Sequence, residues 1–280
     1  MSRAALVVGG TRGIGAAIAR RLAAGGADVT VVGRDRTAGE AVAAATGGTF
    51  LAADVSLLAE AARVAEEVAR RHDRLHHLVH TADVIPRERR DTAEGLEVSF
   101  ATNHLSRVLL NARLLPLLRV AGAEPGGAEI LHVAAASGSG RLDLAKVPPP
   151  PGVGAFAAHG AGQGANDLYG VELAERLAGS GVRVHVLNPG GVDTGIRDEV
   201  AGTALGRVVV PLLARIMRVR TPDESARDIL EAVRRHPDAV LIGSRGTPLR
   251  LRPRLRDGGR RAELWRRSEA AVAGVLGSAP

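Results

Sequence analysis

Short apolar runs alternate with stretches of helical period along most of the chain. The runs are Ala4 to Val8, Val29 to Val32, Thr49 to Ala53, Leu75 to Val79, Glu129 to Ala134, Val182 to Leu187 and Ala239 to Ile242. Helical patterns fill the intervals, over 56–71 with Ser56 as N-cap, 95–119 with Pro116 near its end, and 158–178. Thr221-Pro222-Asp223-Glu224 opens a further helix, with Thr221 as N-cap and Pro222 at the first position. Near-continuous apolar strands separated by helices predict an α/β, doubly wound, parallel seven-stranded sheet in a single domain. The four prolines 148–151 place a surface loop after the fifth strand. Residues 203–218 read as a helical lid. The domain is expected to span 1–245, followed by a basic extension over 246–280, helical around 259–276.

The first strand runs into Gly9, Gly13 and Gly15 and then the helical A-A-I-A-R-R-L-A-A. A strand, a glycine turn and a helix N-terminus gather backbone N–H groups at one point, which suits an anionic phosphate.

Composition narrows the chemistry. The chain has 280 residues, 45% of them apolar but only 2% aromatic, so its core must be built from Ala, Val and Leu. It has no cysteine, which excludes disulfides, thiolate chemistry and cysteine zinc sites. The N-terminus enters a strand at once and no apolar run is long enough to cross a membrane, so a cytoplasmic protein with no membrane partner is expected. The net charge is +7 and the pI about 11.1. Lys146 is the only lysine, and an arginine-, alanine- and glycine-rich composition of this kind need not report a nucleic-acid partner. Arginines gather at 245–267, where a solvated tail or a contact between subunits is the plainer expectation and an acidic partner the alternative.

The spacing G-x-x-x-G-x-G at Gly9, Gly13 and Gly15 resembles the short-chain dehydrogenase/reductase family, with Val8 where the family prefers Thr. F-A-T-N-H-L at 100–105 resembles its retinol-dehydrogenase-like branch, and N-P-G-G-V-D-T at 188–194 resembles the segment that wraps the nicotinamide. The resemblance implies a cofactor site of Gly9, Thr11, Arg12, Gly13, Ile14, Gly15, Asp54, Val55, Thr81, Ala82, Gln163, Pro189, Gly190, Val192 and Thr194. Where an acid at the end of the second strand would select NAD, this strand ends in Gly33-Arg34. A guanidinium suits a 2′-phosphate, and Arg34 with Arg12 points to NADP(H). The resemblance also implies that the long helices 95–119 and 158–178 pair with a second copy in a homodimer or homotetramer.

The catalytic positions depart from the family. Its Tyr and Lys stand four apart on one helix, so they share a face. Here the only tyrosine, Tyr169, is followed four residues on by Leu173. Aligning A-N-D-L-Y-G-V-E-L-A-E-R-L with the family's helix puts His159 at the Tyr position and Gln163 at the Lys position. Ala135 takes the serine position, with Ser137 two residues on, and the family's N-N-A-G becomes His80-Thr81-Ala82-Asp83. Asn103 alone of the tetrad remains. Histidine titrates near neutrality without a lysine beside it, so the loss of both residues together is chemically coherent. The candidate catalytic set is therefore His159, Asn103, Asp83 and Ser137, acting on an apolar or polycyclic carbonyl or alcohol lined by 136–157 and 191–218. Two alternatives stand beside it: a non-redox cyclase, lyase or isomerase, and a non-catalytic NADP-binding protein. His80, His104, His132 and His159 lack the spacing of a metal set, and none is expected.

Overall fold

A computed structural model describes residues 2–137, 142–190 and 220–277. The expected lid 203–218, together with Val192 and Thr194, lies outside these residues. Seven parallel strands form one sheet: β1 (Ala4–Val8), β2 (Asp28–Gly33), β3 (Thr49–Ala52), β4 (His77–His80), β5 (Ala128–Val133), β6 (Val182–Leu187) and β7 (Leu241–Ile242). Their order is β3-β2-β1-β4-β5-β6-β7. The order reverses between β1 and β4, and in an open α/β sheet a ligand sits beyond the strand ends at such a switch.

Helices cover both faces. On one lie α1 (Gly13–Ala24), α2 (Arg36–Thr46) and α7 (Pro222–Arg235). On the other lie α3 (Leu58–Arg71), α5 (Ser106–Gly122), α6 (Ala155–Arg176) and the C-terminal α9 (Gly258–Gly277). Two short helices, α4 (Val98–Phe100) and α8 (Pro253–Arg256), complete the described set. Alternation along each strand divides the core: Val7, Val31, Val79 and Leu131 face α1, whereas Leu6, Val32, Leu78 and Ile130 face α3 and α5. Gly170 of α6 sits where a Cβ would meet Val186 at 2.3 Å, so glycine lets this helix settle on β6. Among the described residues no helix is long and apolar enough to cross a membrane.

Several element ends differ from the sequence expectation, each for a local reason. The third helix starts at Leu58, not after a Ser56 cap. Asp54 Oδ1 accepts from Ser56 N at 3.0 Å, holding that residue in a turn, and Glu94 takes the free N–H groups of Leu58 and Ala59 at 2.6 and 2.9 Å. The expected helix 95–119 begins at Val98, where Glu97 accepts from Phe100 N. It then widens into a π-helical turn over Ala101–Leu105 and runs past Pro116 to Gly122. Thr221 caps α7 with Pro222 in its first turn, as expected, and Glu224 completes a capping box with it.

The arginine-rich end is not simply a solvated tail. Its helix α9 packs on α3, α5 and α6. Leu264 and Ser268 are fully buried. Arg261, only 7% exposed, pairs with Glu172 and Glu175 of α6 and donates from Nη1 to Leu255 O at 2.7 Å. Trp265 stacks on Tyr169 at 5.0 Å, with the Arg176 guanidinium 4.1 Å from its ring centroid. Helix α9 thus lies on α5 and α6, the two helices through which the resemblance implies pairing with a second copy.

Candidate active site

A cleft of about 480 Å³ opens at the ends of β1, β2 and β4. Gly9, Thr11, Arg12, Arg34, Asp54, Val55, Thr81 and Ala82, half of the residues expected to hold a cofactor, line it together with Gly33 and Asp83. It also takes in Arg90, Asp91, Val98 and Thr102, which sequence reasoning did not single out. Gly9 and Gly15 allow close packing: a Cβ on Gly9 would meet Ala82 N at 2.4 Å, and one on Gly15 would meet Thr81 Oγ1 at the same distance. Gly13 differs, with φ +53° and open space where a Cβ would be. Arg12 at the N-cap of α1 makes no side-chain cap, leaving the first-turn N–H groups to a ligand. An open glycine beside an uncapped helix start fits a pyrophosphate. Ile14 points its side chain into the core, so only its main chain can serve a ligand.

A second hollow, of about 370 Å³, adjoins the first and is bordered by Thr11, Arg12, Arg34 and Asp35. Arg12 pairs with Asp35, whose other oxygen caps α2 by accepting from Ala38 N at 2.9 Å. That backbone bond, with the Arg12 charge beside it, holds the Asp35 carboxyl below its usual range. Arg34 stands 70% exposed and 3.8 Å from Asp54. Two cations thus border this hollow and suit an anionic group, with Arg34 the freer of the pair.

Of the candidate catalytic groups, Asp83 lines the cleft, and it leads to His159 behind it. His159 is in the second turn of α6, 12% exposed, with its Nε2 3.2 Å from Asp83 Oδ1 and 3.1 Å from Gln163 Nε2. Gln163 is oriented from behind, because its Oε1 accepts from Ala135 N at 2.8 Å and its amide nitrogen must then face the imidazole. One ring nitrogen therefore has a partner in either protonation state. Carrying a proton, it donates to Asp83; without one, it accepts from Gln163.

Asn103, in the π-helical turn, does not reach toward His159. Its side chain accepts from Val84 N at 3.0 Å and donates to Val84 O at 3.2 Å, which fixes the loop carrying Asp83. Its main-chain oxygen accepts from Asn166 Nδ2 at 2.9 Å. Ser137 donates from Oγ to Asp167 Oδ2 at 3.0 Å, one turn of α6 beyond Gln163, and makes no hydrogen bond to the imidazole. Pro189 borders a small hollow with Arg220 and Asp228, and Gly190 N donates to Asn188 Oδ1.

Behind the site lies a buried polar layer that sequence reasoning missed. His80 and His132 are partners in the β4–β5 register, with rings 4.9 Å apart and edge to face. Asn111 joins them, accepting from His80 Nε2 at 2.9 Å and donating to His132 Nε2 at 3.0 Å. His104 donates to Asn166 Oδ1 and accepts from Ser268 Oγ. Arg107, fully buried, donates to Ala82 O and Val133 O and so ties the ends of β4 and β5 together. Burial pushes the pKa of His80 down to about 3 and of His104 to about 4, and the Arg107 charge adds to both shifts. The hydrogen-bond pattern demands the same neutral imidazoles. Tyr169 is buried beneath Trp265 and its hydroxyl is pushed up by burial, so the chain's one tyrosine is no proton donor to the cleft. Among the described residues no three His, Asp or Glu side chains gather as a metal site.

Residues 3–204 match the short chain dehydrogenase family. The chain is 33% identical over 202 residues to polyprenol dehydrogenase of Mus musculus, covering 69% of this chain and 60% of that protein. It is 30% identical over 212 residues to an uncharacterized oxidoreductase of Saccharomyces cerevisiae, covering 72% and 65%. It thus spans under two thirds of the length of these relatives. Among solved structures, the Pseudomonas aeruginosa RhlG/NADP active-site complex matches with a TM-score of 0.63 and 27% identity, covering 80% of this chain and 86% of that one. A Mycobacterium paratuberculosis protein matches with a TM-score of 0.71 and 25% identity over 96% of this chain and 93% of its own.

Proposed function

The chain belongs to the short-chain dehydrogenase family, and on that premise we propose that it is an NADP(H)-dependent oxidoreductase in which His159 replaces the family's tyrosine. Its substrate is an apolar or polycyclic carbonyl or alcohol. The name of the mouse relative, polyprenol dehydrogenase, is in keeping with an apolar alcohol. Bound NADP(H) would supply or accept the hydride. The glycine loop, Thr81 and Ala82 hold it, and Arg34 with Arg12 meets the 2′-phosphate. His159 holds the proton at Nε2, and Asp83, itself 39% exposed in the cleft, orients the ring and stabilises its charged form. Gln163 takes over Nε2 when the proton has left. Asn103 and Arg107 are positioning residues, the first fixing the Asp83 loop and the second the strand ends beneath it.

The observation that carries this reading is the chain of contacts Asp83–His159–Gln163–Ala135, which puts a titratable group with two alternative partners at the cofactor cleft. The test is turnover of NADPH with a panel of apolar ketones and of NADP with the matching alcohols. Net cofactor consumption is expected. Product formation with no net change in NADPH points instead to non-redox chemistry. Arg34→Glu is expected to weaken NADPH binding at least tenfold and leave NADH binding little changed, by titration calorimetry. Equal affinity of the unaltered protein for NADH and NADPH overturns the cofactor assignment.

A further inference from the structure

We propose that a second cleft, on the side of α6 turned away from His159, binds a small amphipathic anion: an alkyl chain ending in a phosphate or carboxylate. The cleft has a volume of about 790 Å³ and lies between the 142–154 loop, α6 and the C-terminal helices. That is the size of a small-molecule site, not of a packing defect. Successive residues of a helix turn by about 100°. Ala157 and Ala161, two before and two after His159, therefore face about 160° away from it. They line the new cleft, which therefore lies on the face of α6 opposite His159.

Its walls and its rim differ in character. The walls are small and apolar, and Gly160 leaves open space where a side chain would stand. The rim carries Lys146, Arg254 and Arg260 against a single carboxylate, Asp143. Lys146 is the one lysine of the chain. Its amine lies 3.6 Å from Asp143 with both side chains more than half exposed, a weak pair that an incoming anion can displace. Arg254 has no ion pair among the described residues. Arg260 donates from Nη2 to Leu142 O at 2.8 Å, while its Nε is buried with no hydrogen-bond partner there. A cationic rim over an apolar hollow selects a charged head with an apolar tail. Either part alone loses half of the contacts, because exposed charges are screened by solvent and the walls offer the head nothing.

From the sequence, 136–157 is expected to line the substrate pocket, but Leu142, Lys146, Val153 and Ala157 of that stretch line this cleft, across α6 from His159. The site therefore stands apart from the reaction assigned to His159, and the experiment keeps the two apart. Titration calorimetry on the full chain at low ionic strength uses n-decyl phosphate, decanoate, n-decanol and inorganic phosphate as probes. One equivalent of decyl phosphate or decanoate is expected to bind at least tenfold more tightly than decanol or inorganic phosphate, and comparison of the two identifies the preferred head. Lys146→Gln with Arg254→Gln should raise its Kd tenfold or more. Gly160→Phe, a change that favours helix, should abolish binding while the melting temperature holds. Binding should be unaltered by saturating NADPH and by His159→Gln. The proposal is overturned if neither alkyl anion binds at millimolar concentration, or if decanol binds as well as they do. It is equally overturned if affinity survives the double substitution or Gly160→Phe, or if NADPH or His159→Gln displaces the ligand.

Discussion

The two faces of the sheet are built on different principles. Under α1, α2 and α7 the interior is mainly Ala, Val, Ile and Leu, with Ala16, Ala17 and Ala19 bringing α1 close to the strands; it also holds the His185 imidazole, bonded to Ala239 O, and the Glu129 carboxylate between His77 and Arg183. Under α3, α5, α6 and α9 the interior is also mainly aliphatic, but it encloses His80, His104, His132, Arg107, Asn111, Asn166 and Tyr169. The first face only has to hold a glycine loop in place, and small side chains do that. The second carries the helices from which Asn103, His159 and Gln163 project. Its polar groups bond to one another and to strand-end carbonyls, so site and support form one network. Such networks specify one arrangement when satisfied and are costly when a partner is lost or charged.

Acid should break the comparison most sharply. His80, His104 and His132 on the second face, like His185 on the first, have folded pKa values below the unfolded value of about 6.5. Above pH 6.5 all are neutral in both states and cost nothing. As pH falls from 6.5 toward 4, the unfolded chain binds protons that the folded chain refuses, so stability is lost. At pH 5 the loss is about 2 kcal/mol each for His80 and His104, and His132 adds to it in the same direction. The urea midpoint should fall steeply between pH 7.5 and 5.0, and an unchanged midpoint would contradict neutral burial. A smaller effect is expected from Arg261→Ala, which leaves Glu172 without its buried partner and should cost about 3 kcal/mol by urea unfolding at pH 7.5. Smallest is Ile18→Val under α1, away from any titratable group, about 1 kcal/mol and the same at both pH values. A pH-dependent loss there would blur the distinction between the faces.

The same division governs what could be read from the sequence. Strands and most helices were legible because burial on both sides leaves continuous apolar runs, and the α7 start was legible because Thr221 and Glu224 cap it locally. The start of α3 was not, because its cap is Glu94, some thirty-five residues along the chain. The cofactor loop was legible from its glycines. The proximity of Asp83 to His159 followed from position in the fold. The role of Asn103 did not, because its partners are the main-chain atoms of Val84, which no residue type announces. Arg107 was hidden among many arginines, although it lies one helical turn from Asn103. The C-terminal helix was hidden by its charge. Its contacts depend on Leu264, Trp265 and Ser268, three residues within a strongly basic stretch.

The account depends most on His159 as the group that holds the proton. The direct measurement is the single-turnover rate of NADPH oxidation with the best apolar ketone, for the unaltered protein and for His159→Gln, with NADPH affinity measured on the same samples. Glutamine keeps size and hydrogen bonding but cannot titrate. The account predicts a rate lower by about 10² or more, the scale of general acid–base catalysis, with NADPH affinity unchanged. It also predicts that His159→Tyr combined with Gln163→Lys and Ala135→Ser restores ketone reduction. A His159→Gln protein that turns over at the full rate would contradict it.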